Sequence, residues 1–117
     1  MIGNTNTIDL IVQLPDKVSY RLIMVAEAGE WGLPNAKYLL QEKVNIYLEY
    51  ALDGQMHKDY PDTKTGQLGI RILYVDEPSA DTKLFIDRLA EGIKKEGVLV
   101  EVGPVETPGA AKLKGKR

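Results

Sequence analysis

One segment, residues 68–102, restricts the possible folds more than any other part of the sequence. Two apolar runs, 68–75 and 98–102, flank a stretch in which apolar side chains recur at the spacing of an amphipathic helix. Ser79 stands where the N-cap of that helix belongs, and Gly97 follows its last turn. The pattern predicts a β-α-β unit, in which the two strands are parallel and the crossover is right-handed.

The first half of the chain predicts a hairpin and then a second helix. Residues 8–14 and 18–24 alternate in the two-residue period of β-strands, and residues 15–17 between them contain a Pro and an Asp that favour a turn. From Pro34 onward, apolar side chains follow the helical period. We expect this helix to end at Gly54, because glycine suits the left-handed conformation that follows a helix.

These elements, in the order β-β-α-β-α-β, predict an α+β fold. Two amphipathic helices bury their apolar sides most simply against one face of a mixed four-stranded sheet. The position of the hairpin relative to the parallel pair stays open, and residues 55–67 are expected to form a long polar connection. In the first strand, the better-buried set is predicted to be Ile8, Leu10, Val12 and Leu14. The uncovered face of the sheet is predicted to carry Ile11, Ile23, Val25, Leu73, Val75 and Leu99.

Composition excludes several classes of protein. The chain has no cysteine, which rules out disulfides, thiolate zinc sites, iron-sulfur clusters and cysteine nucleophiles. The first residues lack the basic and apolar regions of a signal peptide, and no apolar stretch approaches the roughly 20 residues of a membrane span. We therefore expect a soluble cytoplasmic protein with no membrane partner.

Charge divides the chain into two parts. A chain of 117 residues with 44% hydrophobic residues fits one domain, which we assign to residues 1–106. Of the 15 basic residues, four lie in residues 107–117, which leaves 11 against the 17 acidic residues of the domain, a formal charge of −6. We predict that residues 107–117 form a disordered basic tail. The acidic domain argues against a nucleic-acid-binding fold, and the tail allows only weak binding to nucleic acid.

No pattern of catalytic residues is present. The sequence holds two serines and one histidine without the motif of a serine nucleophile, and its glycines form no phosphate-binding motif. His57, Asp59 and Asp62 are potential metal ligands beside the hydroxyl of Tyr60. Their spacing is not specific to metal sites, so we favour a solvated loop. We predict no catalytic residue, no cofactor and no metal site.

Two residues stand out as candidates for binding. Lys43 lies in the middle of the apolar arc of the first helix. We expect its methylenes to pack at the edge of the core and its ammonium group to reach water or a carboxylate. A ligand-binding or catalytic lysine and a partner-facing position are the alternatives. Trp31, the only tryptophan, is predicted to pack where the hairpin meets the helix, with a role in recognition as the alternative.

Around these residues the sequence resembles a known family. The most specific part is the helix with the pattern L-Q-E-K-x-N-x-Y-L and its stop at Asp53-Gly54. Over about residues 7–103 the chain is similar to a family of small bacterial proteins known only as a domain of unknown function. The resemblance implies a bacterial cytoplasmic protein of the β-β-α-β-α-β type, with no established activity, cofactor or catalytic residue. The matching positions are Trp31, Gln41, Lys43, Tyr47, Gly54, Tyr60 and Pro61.

The favoured prediction is a non-enzymatic protein-interaction module: a homodimer, an adaptor, or an inhibitor of the immunity type. The acidic domain and the unprotected sheet edges favour a partner that is another protein or a second copy. One alternative is a small-molecule-binding protein or enzyme that uses Lys43 and the loop from His57 to Asp62. The other is a weak nucleic-acid binder that uses the basic tail. The candidate interaction residues are Trp31, Lys43, Tyr47, His57, Asp59 and Tyr60.

Overall fold

The computed structural model describes residues 2–3, 8–61 and 66–105. It confirms the α+β class and the β-β-α-β-α-β order, to which it adds a short 3₁₀ helix (Glu30–Gly32) and a short extra α-helix. The predicted disorder of residues 107–117 lies outside the described residues. The elements are β1 (Leu10–Gln13), β2 (Tyr20–Ala26), α1 (Ala36–Leu52), α2 (Gln55–Asp59), β3 (Leu68–Tyr74), α3 (Ala80–Lys95) and β4 (Leu99–Pro104).

The four strands form one mixed sheet in the order β1-β2-β3-β4. β1 pairs antiparallel with β2, and the β2–β3 and β3–β4 pairs are parallel. The hairpin therefore joins the parallel pair on the β3 side. The sequence alone leaves this position undecided. Both β2-α1-β3 and β3-α3-β4 are crossovers that step in the same direction across the sheet, so right-handed connections place α1 and α3 on the same face. The two helices contact one another there.

The core lies between this face and the two longer helices. Alternate residues of β2 and β3 point toward the helices, as the period of a strand requires. Each fully buried aliphatic side chain stabilises the fold by about 1.5–3 kcal/mol. The buried set includes Tyr20, Leu22, Met24, Ile70 and Ile72 from the sheet and Leu40, Val44, Tyr47, Ile86 and Ile93 from the helices.

The predicted faces of β1 are wrong. Leu10 is 53% exposed, whereas Ile11 lies opposite Leu22 and packs against the core. Three successive residues of this short edge strand are apolar, so their period cannot decide which face is buried. The pairing with β2 decides it, because directly paired residues share a face and a slip of one residue exchanges the faces.

The polar connection after α1 also contains structure that the sequence analysis missed. Residues 55–59 form α2, and the side chain of Met56 is fully buried in the core. Gly54 has a φ of 90°, which permits the sharp turn between α1 and α2 and confirms the predicted helix stop. A single apolar residue in a polar segment is too little to produce a helical period, so this element was not predictable from spacing.

The capping signals of α3 are confirmed. The side chain of Ser79 accepts a hydrogen bond from the N–H of Thr82 at 3.1 Å, and Gly97 follows the helix with a φ of 83°. Within the described residues, no helix is long and apolar enough to cross a bilayer.

Candidate functional site

The most buried polar cluster of the domain is formed by Lys43 and two neighbours. The Lys43 side chain is 0% exposed, and its Nζ donates a hydrogen bond to Oδ1 of Asp9 at 2.6 Å. The other carboxylate oxygen of Asp9 accepts the N–H of Val25 at 3.0 Å. The prediction that the ammonium group of Lys43 reaches water or a carboxylate is therefore confirmed for the carboxylate. The prediction that its methylenes lie at the edge of the core is wrong, because the whole side chain is buried.

Tyr47 completes this cluster from the next turn of α1. Its hydroxyl donates to the backbone oxygen of Ile23 and accepts the N–H of Asp9, both at 2.8 Å. Burial raises the pKa of Tyr47 above its ordinary value, so the hydroxyl keeps the proton that it donates. The contact links β2 to the residue that precedes β1, and the Lys43 ammonium lies 5.9 Å from the Tyr47 ring centre.

The electrostatics of Asp9 favour its charged form. Burial alone would raise the pKa of this carboxyl, but the hydrogen bonds that it accepts, among them those from Lys43 and from the Val25 N–H, lower the pKa below its ordinary value. The ionised carboxylate thus holds the start of β1 against α1. This arrangement is suited to anchoring an edge strand, because its acceptors and donors are directed at one another and at the backbone.

The residues from His57 to Tyr60 lie at the opposite end of α1 from its start. Oδ2 of Asp59 accepts the hydroxyl of Tyr50 at 2.8 Å; burial and this carboxylate raise the pKa of Tyr50. The ring of Tyr60 packs against that of Tyr20 with centroids 5.2 Å apart, and His57 is half-buried on α2. Among the residues that the structure describes, no three His, Asp or Glu side chains converge as metal ligands, and Asp62 lies outside that set.

Trp31 lies at the other end of the sheet from Tyr60. Its indole Nε1 donates to the backbone oxygen of Asp76 at 2.9 Å, just beyond the carboxyl end of β3, and its ring packs partly against the core. Tyr60 instead lies by Tyr20, at the amino end of β2. The structure therefore brings Lys43 and Tyr47 together but does not gather all the candidate interaction residues into one site.

The open face of the sheet, on the side away from the helices, carries a surface that the sequence analysis defines only in part. Leu10 and Val75 are each 53% exposed there, beside half-buried aliphatic side chains. Ile11 does not belong to this face, as its pairing shows. By register the open face comprises Leu10, Val12, Arg21, Ile23, Val25, Arg71, Leu73, Leu99 and Glu101. Val75 directly follows β3 at the edge of this face, and Ile23 within it is buried.

Two arginines and one carboxylate occupy the middle of the open face. Oε1 of Glu101 accepts Nε of Arg71 at 2.7 Å and Nε of Arg21 at 3.3 Å, and these hydrogen bonds lower the pKa of Glu101. The buried side chain of Arg21 lies over Gly69, where an added Cβ would come within 2.9 Å of it. The sequence analysis missed this triad. In the sequence, the triad is visible only as one charged residue in each of three predicted strands. The register of the strands is needed to show that these residues lie side by side.

Comparison with known families adds one finding. A family model described as a family of unknown function, DUF6572, matches residues 1–106. The chain belongs to the DUF6572 family. This confirms the predicted membership in a family of unknown function, while the bacterial origin and the specific helix motif stay predictions. No curated protein and no solved structure matches the chain. Membership of DUF6572 therefore assigns no activity to this chain. The features that bear on its function are its buried ion pair and the open face of its sheet.

Proposed function

We propose that this protein is a non-enzymatic interaction module that binds another protein through the open face of its sheet. The observation that carries the proposal is the asymmetry of the sheet: both longer helices cover one face, while the other presents apolar side chains to solvent. Exposed apolar side chains beside a small number of polar groups are typical of protein-binding surfaces. Leu10 and Val75, each half exposed, are the apolar anchors of this face.

The charged centre of the open face indicates the chemistry of the partner. Arg21 and Arg71 share a single carboxylate, Glu101, so the triad carries one positive charge in a domain that is acidic overall. Arginine is enriched at protein interfaces because its planar guanidinium recognises carboxylates. A partner with apolar side chains around an acidic group fits this face. An adaptor or an inhibitor of such a protein is the role that we propose, in the bacterial cytoplasm that the sequence predicts.

A second copy is the other partner that the sequence predicts. Two copies that met through their open faces would place equal positive centres opposite one another, which is unfavourable unless Glu101 of each copy exchanges partners. The charge of the face therefore favours a different protein, and self-association is an outcome that the experiment must separate.

The proposal is tested by capturing partners from a nuclease-treated lysate of the source organism and by measuring the mass of the purified protein by light scattering. Val75→Lys changes an anchor of the open face. Leu84→Lys is the matched control, because Leu84 is 50% exposed on α3, away from that face. We expect one stoichiometric protein to be retained by the wild type and by Leu84→Lys but lost from Val75→Lys.

Three results would contradict this proposal. A strictly monomeric protein that retains nothing from lysate would remove the interaction module. Equal loss in both variants would show that the open face is not the binding surface. A dimer that is dissociated by Val75→Lys and unaffected by Leu84→Lys would show that the open face is a binding surface. Its partner would then be a second copy of this chain instead of a different protein.

A further inference from the structure

A groove between β1 and α1 is separate from the open face and from the buried cluster. It has a volume of about 520 Å³ and lies on the helix side of the sheet edge. Its floor is apolar and half-buried, formed by Ile8, Ile11 and Ile46. Within residues 2–3, 8–61 and 66–105, this floor stays partly exposed to solvent. We refer to it as the β1–α1 groove; its remaining lining residues are Glu49, Tyr50, Asp53 and Gln55.

The rim of the β1–α1 groove is acidic. Glu49 in the last turn of α1 and Asp53, which caps the end of that helix, stand one turn apart, and both are exposed. Asp59, bound to the hydroxyl of Tyr50, adds a third carboxylate beside them. Like charges at this spacing destabilise a helix slightly, so they bring no benefit to α1 itself. No lysine or arginine is among the described residues that line the groove. The fitting occupant is therefore a segment that combines cations with an apolar side chain.

Residues 107–117 of this chain have that composition. They contain four cations and no acid, and Leu113 stands between Lys112 and Lys114. In an extended segment, neighbouring side chains point to opposite sides, so Leu113 can lie on the apolar floor while both lysines extend toward the rim. This segment lies outside the part of the chain that the family model matches.

The segment is long enough to reach the groove. The described chain ends at Val105, directly after β4, and Leu113 follows eight residues later, so an extended segment carries it at most about 28 Å from Val105. β4 and β1 are about 14 Å apart across the sheet, and Val105 lies about 17 Å along the strands from the level of Ile11, so the straight distance is about 22 Å. A path around the sheet edge is therefore within reach in the same molecule, and the groove of a second copy is also accessible.

We propose that residues 107–117 dock in the β1–α1 groove, with Leu113 on the apolar floor and the lysines paired with the acidic rim. Individual exposed ion pairs stabilise a complex only weakly, so the free segment would bind weakly. Tethering raises its effective concentration to the order of 1 mM, which is enough to populate a weak complex within one molecule. The tail would then be withheld from other anionic surfaces until it is released.

The absence of cysteine from the chain permits a direct test on the full-length protein. A nitroxide is attached through Gly115→Cys, and the loss of amide NMR intensity caused by the spin label is mapped along the chain. We expect intensity to be lost selectively at Ile8, Ile11 and Ile46 and to be regained at high salt, where exposed charges are screened. Mixing labelled protein with ¹⁵N-enriched unlabelled protein distinguishes docking within one molecule from docking in a second copy.

Two variants with the same change in charge make the test specific. Glu49→Gln/Asp53→Asn neutralises the rim and is expected to restore intensity at the groove. Asp87→Asn/Glu91→Gln removes two exposed acids at the same spacing on α3 and is expected to change nothing. The proposal is overturned if the label leaves the groove resonances unaffected, or if both double variants restore intensity equally. Neither result bears on the open face, so this proposal and the proposed function fail independently.

Discussion

Two ion clusters on opposite sides of the sheet show how surroundings change the effect of the same chemistry. The pair Asp9–Lys43 lies on the helix side, and the Lys43 side chain is fully buried. The triad Arg21–Arg71–Glu101 lies on the open face, where the Glu101 and Arg71 side chains are 43% and 32% exposed and only the Arg21 side chain, at 6%, is buried. A buried pair is costly to break because the remaining charge stays away from water, whereas water replaces most of a lost exposed contact. The first cluster is therefore suited to anchoring and the second to recognition.

The largest effect on stability is expected for Asp9→Ala. This change removes the carboxylate that Lys43 contacts, and breaking a buried ion pair typically costs 3–5 kcal/mol. Because Asp9 itself is 15% exposed, we expect urea denaturation to show the free energy of unfolding lowered by about 3 kcal/mol.

The double variant Asp9→Ala/Lys43→Met serves as the control for this pair. Removing both charges avoids leaving an ammonium group inside the protein, so the double variant should lose less stability than the two single variants summed. Additive losses, or a loss below about 1 kcal/mol for Asp9→Ala, would show that the pair does not anchor β1.

The next largest effect is expected for Tyr47→Phe. The hydroxyl joins the N–H of Asp9 to the backbone oxygen of Ile23, and a buried polar group left unsatisfied costs about 1–3 kcal/mol. Tyr50→Phe is the matched control, because its hydroxyl contacts the exposed carboxylate of Asp59 and water can replace it. Thermal or urea unfolding should show the larger loss for Tyr47→Phe. Equal losses of stability in the two variants would mean that the hydrogen bonds of Tyr47 between Asp9 and Ile23 stabilise the fold no more than an exposed contact does.

Acid should reveal the same cluster through its pH dependence. The folded-state pKa of Asp9 is lowered, so the stabilisation from its carboxylate is fully present above the unfolded pKa of about 3.9. It is lost as the pH falls from there through the folded pKa, because protons then bind more readily to the unfolded chain. The free energy of unfolding can be measured at a series of pH values from about 6 to about 2. It should fall less steeply with decreasing pH for Asp9→Asn than for the wild type. Identical slopes would exclude Asp9 as a source of acid sensitivity.

How much of this comparison is predictable from sequence depends on how local each feature is. The period of 68–102 and the caps of α3 are local, and the structure confirms them. The middle position of Lys43 on an apolar arc indicates that it needs a partner. Nothing local identifies that partner as Asp9, which is 34 residues away and is brought to Lys43 only by the pairing of β1 with β2.

The remaining features depend on register or on long-range packing. The faces of β1 depend on the pairing of Ile11 with Leu22, and the helix α2 depends on the burial of Met56. The triad of the open face requires three strands in alignment, which places Arg71 opposite Glu101. Spacing along the chain does not carry this information, because sequence patterns report which side chains share a face but not which strands are neighbours.

The smallest effect on stability, and the sharpest contrast with Asp9, is expected for Glu101→Gln. The change removes the carboxylate between Arg21 and Arg71, but that carboxylate is 43% exposed, and the buried Arg21 keeps its hydrogen bonds to the backbone oxygen of Tyr20 and to Gln67. We therefore expect a loss of only about 1 kcal/mol, which salt reduces further. Urea unfolding at low and high salt should therefore give nearly equal stabilities for wild type and variant. Binding should respond more strongly, because the partly exposed guanidinium group of Arg71 is freed to contact an acidic partner. A loss of stability near that of Asp9→Ala would show that the triad is a structural anchor, and it would remove the main argument for recognition by the open face.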